Sequence, residues 1–364
     1  MELRDLSDHN EYVPGRGKQE VAQEVGLDPS ELIALSSNEN PHGPSPAAAD
    51  AVQGASEAVH HYPKASHADL MDAIAAEWDL TAEQVWLSPG ADGGIDLLSR
   101  AVLAPDDEIL IPQPGFSYYS MSGRYHHAQV NGYEVSKATA FEQRPQTVLD
   151  AYDGERIVFV TAPHNPSGTV MSLADIETVA DETADSTVVA VDEAYGEYAE
   201  MPSARRLISD RDDVAVLRTM SKAYGLAGLR VGYAMVPQEW AEGYAKVNTP
   251  FAVNEVGCRA ALAALNDDDH VRETVETARW AREYMREHIE APTFPSEGNF
   301  ILADVGDATR VAEMARNRGL ILRDCTSFGL PGCLRISSGT REQTRQATET
   351  INQVLKDLQL GVYA

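Results

Sequence analysis

The chain has 364 residues, a hydrophobic content of 43% and a formal net charge of −28 at pH 7. This length allows one to three domains with a large core, and the acidic balance argues against nucleic acid as a partner, because its phosphates would be repelled. No run of about 18 apolar residues occurs, so the sequence predicts no membrane span.

Up to about residue 255, short apolar runs alternate with helical patterns. This alternation is typical of βαβ units around a mostly parallel sheet. The predicted strands are residues 85–87, 109–111, 157–161, 188–191, 215–217 and 231–235. Helical periodicity is predicted between them, for example at residues 95–102 and 173–182. The sequence therefore predicts a large α/β domain.

Beyond about residue 255, longer helices surround a few short strands. The acidic turn at residues 266–269 lacks the glycine and glutamate of a calcium loop and predicts the start of a helix. Strands are predicted at residues 300–304, 320–322 and 334–336, and helices at 311–318 and from Thr340, where Gln343 completes a capping box. We predict an N-terminal arm that forms part of a small domain (1–44), the large domain (45–255) and a small α+β domain (256–364).

One of the six lysines lies in a pattern that predicts a chemical role. Residues 219–232 contain the form S-K-x-x-x-L-x-G-x-R, which places Ser221, Lys222 and Arg230 in one loop rich in small residues. A lysine amine can form a Schiff base with an aldehyde, while a hydroxyl and a guanidinium can bind a phosphate. The loop therefore predicts a site for an aldehyde cofactor that carries a phosphate. A lone lysine beside a turn would instead be a surface residue.

Three further clusters lie at or near the ends of predicted strands, where ligands bind in α/β sheets. Residues 88–94 precede a helix whose exposed amides would hold a phosphate, although no Lys-Ser/Thr pair follows as in a Walker loop. Asn165, in residues 162–169, would donate to a phenolate oxygen unless the segment is an ordinary loop. Asp192 ends a buried strand, where a carboxylate is unfavourable unless it meets a cation such as a protonated pyridine nitrogen. A magnesium aspartate is the competing interpretation, but its partner loop is lacking.

In this order, the clusters resemble the fold-type I pyridoxal-phosphate aminotransferases over essentially the whole chain, and most closely the histidinol-phosphate aminotransferases. The motifs that carry the resemblance are residues 12–15, 37–41, 62–63, 90–92, 165–166, 192–195, 219–232, 322–324 and 333–335. The ordered set is specific, although each motif alone is not. The resemblance implies an α/β fold with a large domain that binds pyridoxal 5'-phosphate and a smaller α+β domain.

The resemblance also implies a role for each residue of the site. Lys222 would hold the cofactor and act as the acid–base catalyst, and Asp192 would pair with the pyridinium nitrogen. Asn165 and Tyr195 would bind the ring oxygen, and Phe116 would stack on the ring unless it is a plain core aromatic. The other implied contacts are Ala91, Asp92, Ser221 and Arg230 with the cofactor phosphate, Tyr62 with the cofactor phosphate of the neighbouring subunit in a homodimer, and Tyr12, Asn38, Arg323 and Arg335 with the substrate.

The implied reaction moves an amino group between L-histidinol phosphate and 2-oxoglutarate, as a step of histidine biosynthesis that runs from glutamate toward histidinol phosphate. Arg323 and Arg335 would bind the carboxylates of glutamate or the substrate phosphate, because a guanidinium pairs with either anion. A surface ion pair is the alternative for each arginine. An aromatic amino-acid aminotransferase, a threonine-phosphate decarboxylase and a non-catalytic binding or regulatory protein are the alternative functions.

Composition also bears on the source of the protein and its compartment. Arginines outnumber lysines 23 to 6, and acidic residues are spread along the chain. This pattern favours a protein kept soluble in high salt and a halophilic source, the alternative being an acidic mesophilic protein. The first residues have no signal-peptide pattern, and Cys258, Cys325 and Cys333 show no C-x-x-C spacing. A cytoplasmic protein with reduced thiols is predicted.

Overall fold

The computed structural model describes residues 5–9, 11–12, 15 and 17–358. The helices are α1 (Lys18–Val25), α2 (Pro46–Ala55), α3 (Ala68–Trp78), α4 (Gly90–Val102), α5 (Tyr118–Tyr125), α6 (Pro145–Ala151), α7 (Leu173–Glu182), α8 (Arg205–Ile208), α9 (Ala241–Val247), α10 (Glu255–Leu265), α11 (Asp268–His288), α12 (Ala308–Arg316) and α13 (Arg341–Asp357). The strands are β1 (Ile33–Ala34), β2 (Val85–Ser88), β3 (Glu108–Gln113), β4 (Gln129–Glu134), β5 (Ile157–Thr161), β6 (Val188–Asp192), β7 (Val214–Thr219), β8 (Gly232–Met235), β9 (Phe300–Asp304), β10 (Leu320–Ile321), β11 (Arg323–Asp324) and β12 (Cys333–Ser337).

The larger sheet has the strand order β2-β8-β7-β6-β5-β3-β4. Its pairings are parallel except those of β8, which runs antiparallel to both of its neighbours. Strands β5, β6 and β7 are buried along their whole length, with alternate side chains in the cores on the two faces of the sheet. Burial on both faces is typical of parallel sheets covered by helices. The predicted α/β fold with a mostly parallel sheet is confirmed.

The predicted strands of the large domain and helix α7 are present with small changes at their ends. Strand β4 was not predicted, because its residues Gln129–Glu134 lie at the edge of the sheet and contain no apolar run. The helix predicted from residue 95 begins at Gly90. The glycines at its start weaken the helical pattern in the sequence, but the first turn is helical all the same.

The C-terminal part forms a second layer of helices on a small sheet. Strands β11, β12 and β9 form an antiparallel sheet, and helices α11, α12 and α13 pack with it into a separate core. Helix α11 begins after Asp267, whose side chain accepts from the amide of His270, so the predicted helix start at the acidic turn is confirmed. The capping box of Thr340 and Gln343 is also present.

The N-terminal segment joins this second unit through β1, which pairs in parallel with β10. Helix α10 instead contributes Cys258, Ala260 and Ala261 to the core beneath the large sheet. The division at residues 44 and 255 stays a prediction. Because α10 packs in the core of the large domain, a second boundary near residue 265, after the helix, fits better than one before it.

The strand register brings the predicted chemical residues to one edge of the large sheet. Asp192 lies opposite Thr161 on β5 and Leu217 on β7, and Thr219 lies opposite Gly232 on β8. These positions are at the carboxyl ends of the parallel strands, where the loops of an α/β sheet form binding sites.

Candidate active site

A cavity of about 450 Å³ opens at this edge, between the large sheet and the small unit. Its volume is within the range of small-molecule sites. The predicted site residues that line it are Tyr12, Ala91, Asp92, Phe116, Asn165, Asp192, Tyr195, Ser221, Lys222, Arg230, Arg323 and Arg335. Two predicted site residues, Asn38 and Tyr62, are not among the described residues that line it.

Lys222 lies in the loop that follows β7, and its amine points into the cavity region shared with Tyr195. Its Nζ donates to the carbonyl oxygen of Ser37 at 3.2 Å and lies 5.6 Å from the centre of the Tyr195 ring. The loop is held by a side-chain bond, since the hydroxyl of Thr219 accepts from the amide of Ser221 at 3.1 Å. A primary amine is therefore held near the end of a buried strand, in part by a segment that lies 185 positions away in the chain.

Beside the lysine, the start of α4 and Arg230 form a cradle for an anion. The Arg230 guanidinium donates to Asp92 at 3.2 Å and lies 3.5 Å from the hydroxyl of Ser221. Gly90 makes this approach possible, because a Cβ at that position would lie 2.2 Å from Nη2 of Arg230. Hydroxyl and guanidinium donors beside the amides of a 13-residue helix's first turn suit a phosphate group.

Asp192 is the buried acid of the site, with only 3% of its surface exposed. One carboxylate oxygen accepts from the hydroxyl of Tyr119 at 2.6 Å, and the other accepts from the amide of Ala194 at 2.9 Å. Burial raises the pKa of Asp192 to about 6, although these two hydrogen bonds act in the opposite direction. A carboxylate in this position becomes more favourable when a cation enters the cavity.

The orientation of the Tyr195 hydroxyl follows from a chain of hydrogen bonds behind it. The hydroxyl of Ser337 accepts from the backbone amide of Asn38 at 2.9 Å and so donates to its side-chain oxygen at 2.8 Å. The side-chain nitrogen of Asn38 then donates to Tyr195 at 3.0 Å. The proton of the Tyr195 hydroxyl is therefore left for a partner in the cavity. Asn38 itself is fully buried behind Tyr195 and meets the cavity through that hydroxyl, and its predicted contact with substrate stays a prediction.

Asn165 is oriented in the same way by an arginine. Nη1 of Arg335 donates to the side-chain oxygen of Asn165 at 2.5 Å, and Nη2 donates to the carbonyl of Ser36 at 2.8 Å. Because arginine can only donate, the amide nitrogen of Asn165 is the end left for a cavity oxygen. The buried Nε of Arg335 has no hydrogen-bond partner among the described residues, which is unfavourable unless a ligand provides one.

Arg323, Phe328 and Tyr12 complete the side of the cavity that faces the small unit. Arg323 lies opposite Arg335 in the pairing of β11 with β12, and its guanidinium carbon lies 5.3 Å from the centre of the Phe328 ring. Burial and the neighbouring Arg335 lower the pKa of Arg323. Tyr12 meets the edge of Phe116, with the ring centres 6.2 Å apart. Two adjacent guanidinium groups favour a ligand with one or more anionic groups.

Several residues of the site were not predicted from the sequence. Tyr119 is the most important, because it bonds Asp192, but nothing in the sequence distinguishes it from its neighbour Tyr118. His164 is buried and joins two loops, with one ring nitrogen 2.8 Å from the Ser167 hydroxyl and the other 2.8 Å from the Pro114 carbonyl. Burial lowers its pKa to about 4, so this histidine is neutral at pH 7. Ser36, Ser117, Thr161 and Phe328 also line the cavity and lie outside the motifs found in the sequence.

Tyr62 lies away from the cavity of its own chain. Its surface is 84% exposed, and its ring packs on the half-exposed Phe251 with the centres 5.1 Å apart. A single chain therefore does not bring Tyr62 to the lysine. Exposed aromatic side chains that contact each other are typical of interaction surfaces.

Comparisons with known proteins agree with this geometry. The family Aminotransferase class I and II matches residues 30–351. A histidinol-phosphate aminotransferase of Halorubrum lacusprofundi is 64% identical over 364 residues and covers 100% of both chains. One of Haloferax volcanii is 59% identical over 358 residues, which are 98% of this chain and 99% of the relative. The crystal structure of the Sinorhizobium meliloti histidinol-phosphate aminotransferase in complex with pyridoxal-5'-phosphate superposes with a TM-score of 0.86 at 22% identity, covering 98% of each chain.

The chain belongs to the class I and II aminotransferases. Within that family it belongs to the histidinol-phosphate aminotransferases, since the identity to the two archaeal relatives extends over essentially the full length. Both relatives come from halophilic archaea, and the predicted resemblance to a halophilic enzyme is confirmed. In the part of the chain that the structure describes, the helices lack the combination of length and apolar character that a membrane crossing requires.

Proposed function

We propose that this protein exchanges an amino group between L-histidinol phosphate and 2-oxoglutarate, with pyridoxal 5'-phosphate as its cofactor. In vivo the reaction runs toward histidinol phosphate, as a step of histidine biosynthesis. The observation that carries the proposal is one cavity with an amine and a buried acid on one side, Lys222 and Asp192, and two guanidinium groups on the other, Arg323 and Arg335.

The residues present fit this cofactor. Ser221, Arg230 and the first turn of α4 would hold its phosphate. Asp192 would face the protonated ring nitrogen, because its buried carboxylate has the raised pKa of an acid that lacks a cation. Tyr195 and Asn165 each have a donor left for the ring oxygen. The role of each residue is part of the proposal.

When bound, the cofactor supplies an aldehyde that takes up the amino group and a ring that accepts the electron pair released at the substrate's α-carbon. Nζ of Lys222 moves the proton at that carbon, as general base and then as general acid. Asp192 keeps the ring nitrogen protonated, and Tyr119 keeps the carboxylate of Asp192 in place through its 2.6 Å bond. The Tyr195 hydroxyl would donate to the ring oxygen and so help to orient the ring.

The two arginines explain how one site accepts two unlike substrates. A planar guanidinium pairs with a carboxylate or a phosphate in the same bidentate geometry. Arg335, whose Nε is buried and without a partner in the described chain, would bind the carboxylate of glutamate. Arg323 and Tyr12 would bind the second anion, which is the side-chain carboxylate of glutamate or the phosphate of histidinol phosphate.

Two related activities would use the same cofactor residues. An aromatic amino-acid aminotransferase needs only one anion partner, and a threonine-phosphate decarboxylase would share the phosphate partners but release carbon dioxide without an oxo acid. The 64% identity to a histidinol-phosphate aminotransferase favours neither of them. A panel of amino donors and oxo acceptors, with carbon dioxide measured in parallel, tests the proposal on the purified protein. Turnover of threonine phosphate without an oxo acid would contradict it.

Replacing Arg323 with alanine should separate the substrates. Loss of a charge-assisted hydrogen bond to an anion reduces affinity roughly 10- to 100-fold, or about 1.5–3 kcal/mol. The kcat/KM for histidinol phosphate and for glutamate should fall by this factor, while that for phenylalanine, which has no second anion, should stay nearly unchanged. Steady-state kinetics with the three donors measures the difference.

Arg310→Ala is the matched control, because Arg310 is an exposed arginine on α12 that pairs with Glu313. It should leave all three values unchanged. An equal loss with all three donors in Arg323→Ala would show that Arg323 supports the fold or the cofactor, and the two-anion assignment would then be wrong.

We also propose that the enzyme is a cytoplasmic homodimer in which Tyr62 reaches the cofactor phosphate of the neighbouring subunit. The exposed pair of Tyr62 and Phe251 supports this arrangement, because two large aromatic side chains would be covered by the second subunit. The absence of Tyr62 from its own cavity in the described chain supports it as well.

Mixing two inactive or weakened variants should restore activity if Tyr62 acts across the interface. Tyr62→Phe should weaken cofactor binding roughly 10- to 100-fold through the lost bond to a charged phosphate. In a heterodimer with a Lys222→Ala chain, one site carries both defects and the other carries neither. At limiting cofactor, activity above that of either parent is expected after subunit exchange.

A mixture of Lys222→Ala with Asp192→Asn is the control, because both residues belong to the same subunit's cavity and each site of the heterodimer keeps one defect. This mixture should recover nothing. Failure of the Tyr62→Phe mixture to recover, with exchange demonstrated by labelled chains, would contradict the shared site.

A further inference from the structure

A cluster of buried charges lies directly beneath the wall of the cavity. Arg218 is at its centre, with Nε donating to Glu193 at 3.0 Å and Nη1 donating to Glu197 at 3.2 Å. The side chains of the three residues are 5%, 2% and 8% exposed. The guanidinium carbon of Arg218 also lies 4.3 Å from the centre of the Trp78 ring. Only Glu193 lies in a motif found in the sequence, where it was given no role, and none of these residues lines the cavity in the described chain.

The cluster joins the two segments that carry the chemical residues. Arg218 is on β7, four residues before Lys222, and Glu193 immediately follows Asp192 at the end of β6. Glu193 and Glu197 also lie on either side of Tyr195 in the chain, two residues away in each direction. The guanidinium therefore bonds the loop of Asp192 and Tyr195 at two points to the strand that leads to the lysine.

The charges in this cluster are not explained by stability alone. Removing ions from water is unfavourable, and apolar residues of similar volume often stabilise a core equally well. Burial by itself would lower the pKa of Arg218, but Glu197 and Glu193 outweigh burial and raise it, so the guanidinium is charged. Glu193 makes further bonds with the Ser203 hydroxyl and the amide of Ala204, both at 2.7 Å. The bonds fix direction as well as distance, because guanidinium–carboxylate pairs are planar and geometrically specific.

Gly196 shows how closely the loop fits around the guanidinium. A Cβ at this position would lie 2.0 Å from Nη2 of Arg218. The loop thus places a residue without a side chain where the arginine passes. The packing ties the backbone next to Tyr195 to the position of Arg218.

We propose that Arg218 is a positioning residue, which holds Asp192 and Tyr195 in register with Lys222 through its bonds to Glu193 and Glu197. It acts through these residues and does not touch the substrate. The inference rests on the proposed function, since it assumes a transamination at Lys222. The positioning role itself would affect the reaction of any amino donor that the site uses.

The test compares Arg218→Lys with Arg211→Lys in the holoenzyme. Arg211 lies before β7, at the opposite end of the strand, and also pairs with two carboxylates, Asp181 and Asp213. The lysine keeps the charge but loses the fork that bonds two carboxylates. A misplacement of about 1 Å in a catalytic group can reduce turnover by roughly 100-fold. In Arg218→Lys we expect kcat to fall about 10- to 100-fold with KM changed less than about threefold, while Arg211→Lys matches the wild type.

Two further measurements separate positioning from general support of the fold. The pH titration of the visible absorbance of the lysine-bound cofactor reports the surroundings of Lys222, Asp192 and Tyr195, and its midpoint should move in Arg218→Lys but not in Arg211→Lys. The affinity of the cofactor-free protein for the cofactor should fall as well. Neither measurement depends on the identity of the substrate, so both remain informative if histidinol phosphate proves not to be the preferred donor.

Gly196→Ala provides a second variant in case Arg218→Lys does not fold. It keeps every charge and displaces the guanidinium from the loop side, whereas Gly243→Ala on α9, where a Cβ would meet nothing within 4 Å, is its control. Gly196→Ala should reproduce the loss of kcat and the moved titration midpoint. If the variants of Arg218 and Gly196 lose only thermal stability, with kcat, midpoint and cofactor affinity unchanged, Arg218 merely supports the fold and the proposal is wrong.

Discussion

Replacing Lys222 with alanine is expected to abolish transamination, with a loss of roughly 10⁴-fold or more, because we propose that the same amine holds the cofactor and moves the proton at the substrate. No other lysine of the described chain lines the cavity. Four of the other five form ion pairs elsewhere: Lys64 with Asp69, Lys137 with Asp304, Lys246 with Glu242 and Lys356 with Glu290. Turnover of histidinol phosphate with 2-oxoglutarate measures the loss.

Lys246→Ala is the control for this prediction, because it removes an exposed lysine from α9 and should leave turnover unchanged. Reduction of the wild-type holoenzyme with borohydride should attach the cofactor to the peptide that contains Lys222. Attachment to any other lysine would overturn the assignment of the site.

Replacing Asp192 with asparagine is expected to reduce kcat/KM roughly 10²- to 10⁴-fold. The estimate follows from the loss of about 3–5 kcal/mol when one partner of a buried charge pair is removed, here the carboxylate that we propose faces the cofactor's ring nitrogen. Asparagine has nearly the same shape and can still accept from Tyr119, but its amide nitrogen cannot accept from Ala194, so the change removes the charge together with one weak backbone bond. The affinity for the cofactor should fall in the same variant. Steady-state kinetics and cofactor titration measure the two losses.

Asp192→Asn is expected to lower activity, but in the cofactor-free protein it should raise stability near neutral pH, because it removes a buried charge. The pKa of Asp192 is raised by burial from its ordinary value of 3.8 to about 6, so the folded state binds the proton more tightly than the unfolded state. The free energy of unfolding should therefore decrease as the pH rises from about 4 to about 6, by on the order of 3 kcal/mol for this group. Asp192→Asn should lack this decrease, and denaturant unfolding across that pH range measures it.

Asp185→Asn is the matched control for both measurements. Asp185 is exposed and precedes β6, at the opposite end of the strand from Asp192. This variant should keep wild-type activity and the wild-type dependence of stability on pH. Wild-type kcat/KM in Asp192→Asn would contradict the role of the carboxylate, and an unchanged pH dependence would contradict its buried, uncompensated state.

Local patterns in the sequence were sufficient for the elements that surround the site. The buried strands β5, β6 and β7 are continuous apolar runs, and such runs between helical segments predict a parallel sheet without further information. The lysine loop could be found because its chemical groups are neighbours in the chain, within the ten residues from Ser221 to Arg230. The edge strand β4 and the reversed direction of β8 depend on contacts with other strands and could not be found in this way.

What only the tertiary structure decided is how the side chains from distant segments meet. Arg335 bonds Asn165 across 170 positions, and Asn38 reaches Ser337 across 299. Such contacts leave no periodic signal, because the residues between them fold into other elements. The sequence therefore could not show that Asn38 lies behind Tyr195 or that Tyr119 is the partner of Asp192.

The sequence by itself determined the fold class of this protein and pointed to the amine, the buried acid and the two arginines that line the cavity, since each depends on residue type and on the end of a strand or the start of a helix. The tertiary structure decided the direction of each hydrogen bond, the exposed position of Tyr62 and the ion cluster at Arg218. The physical reason is that residue type sets which bonds a group can make, whereas only packing of separate segments within about 3 Å selects which of them it does make.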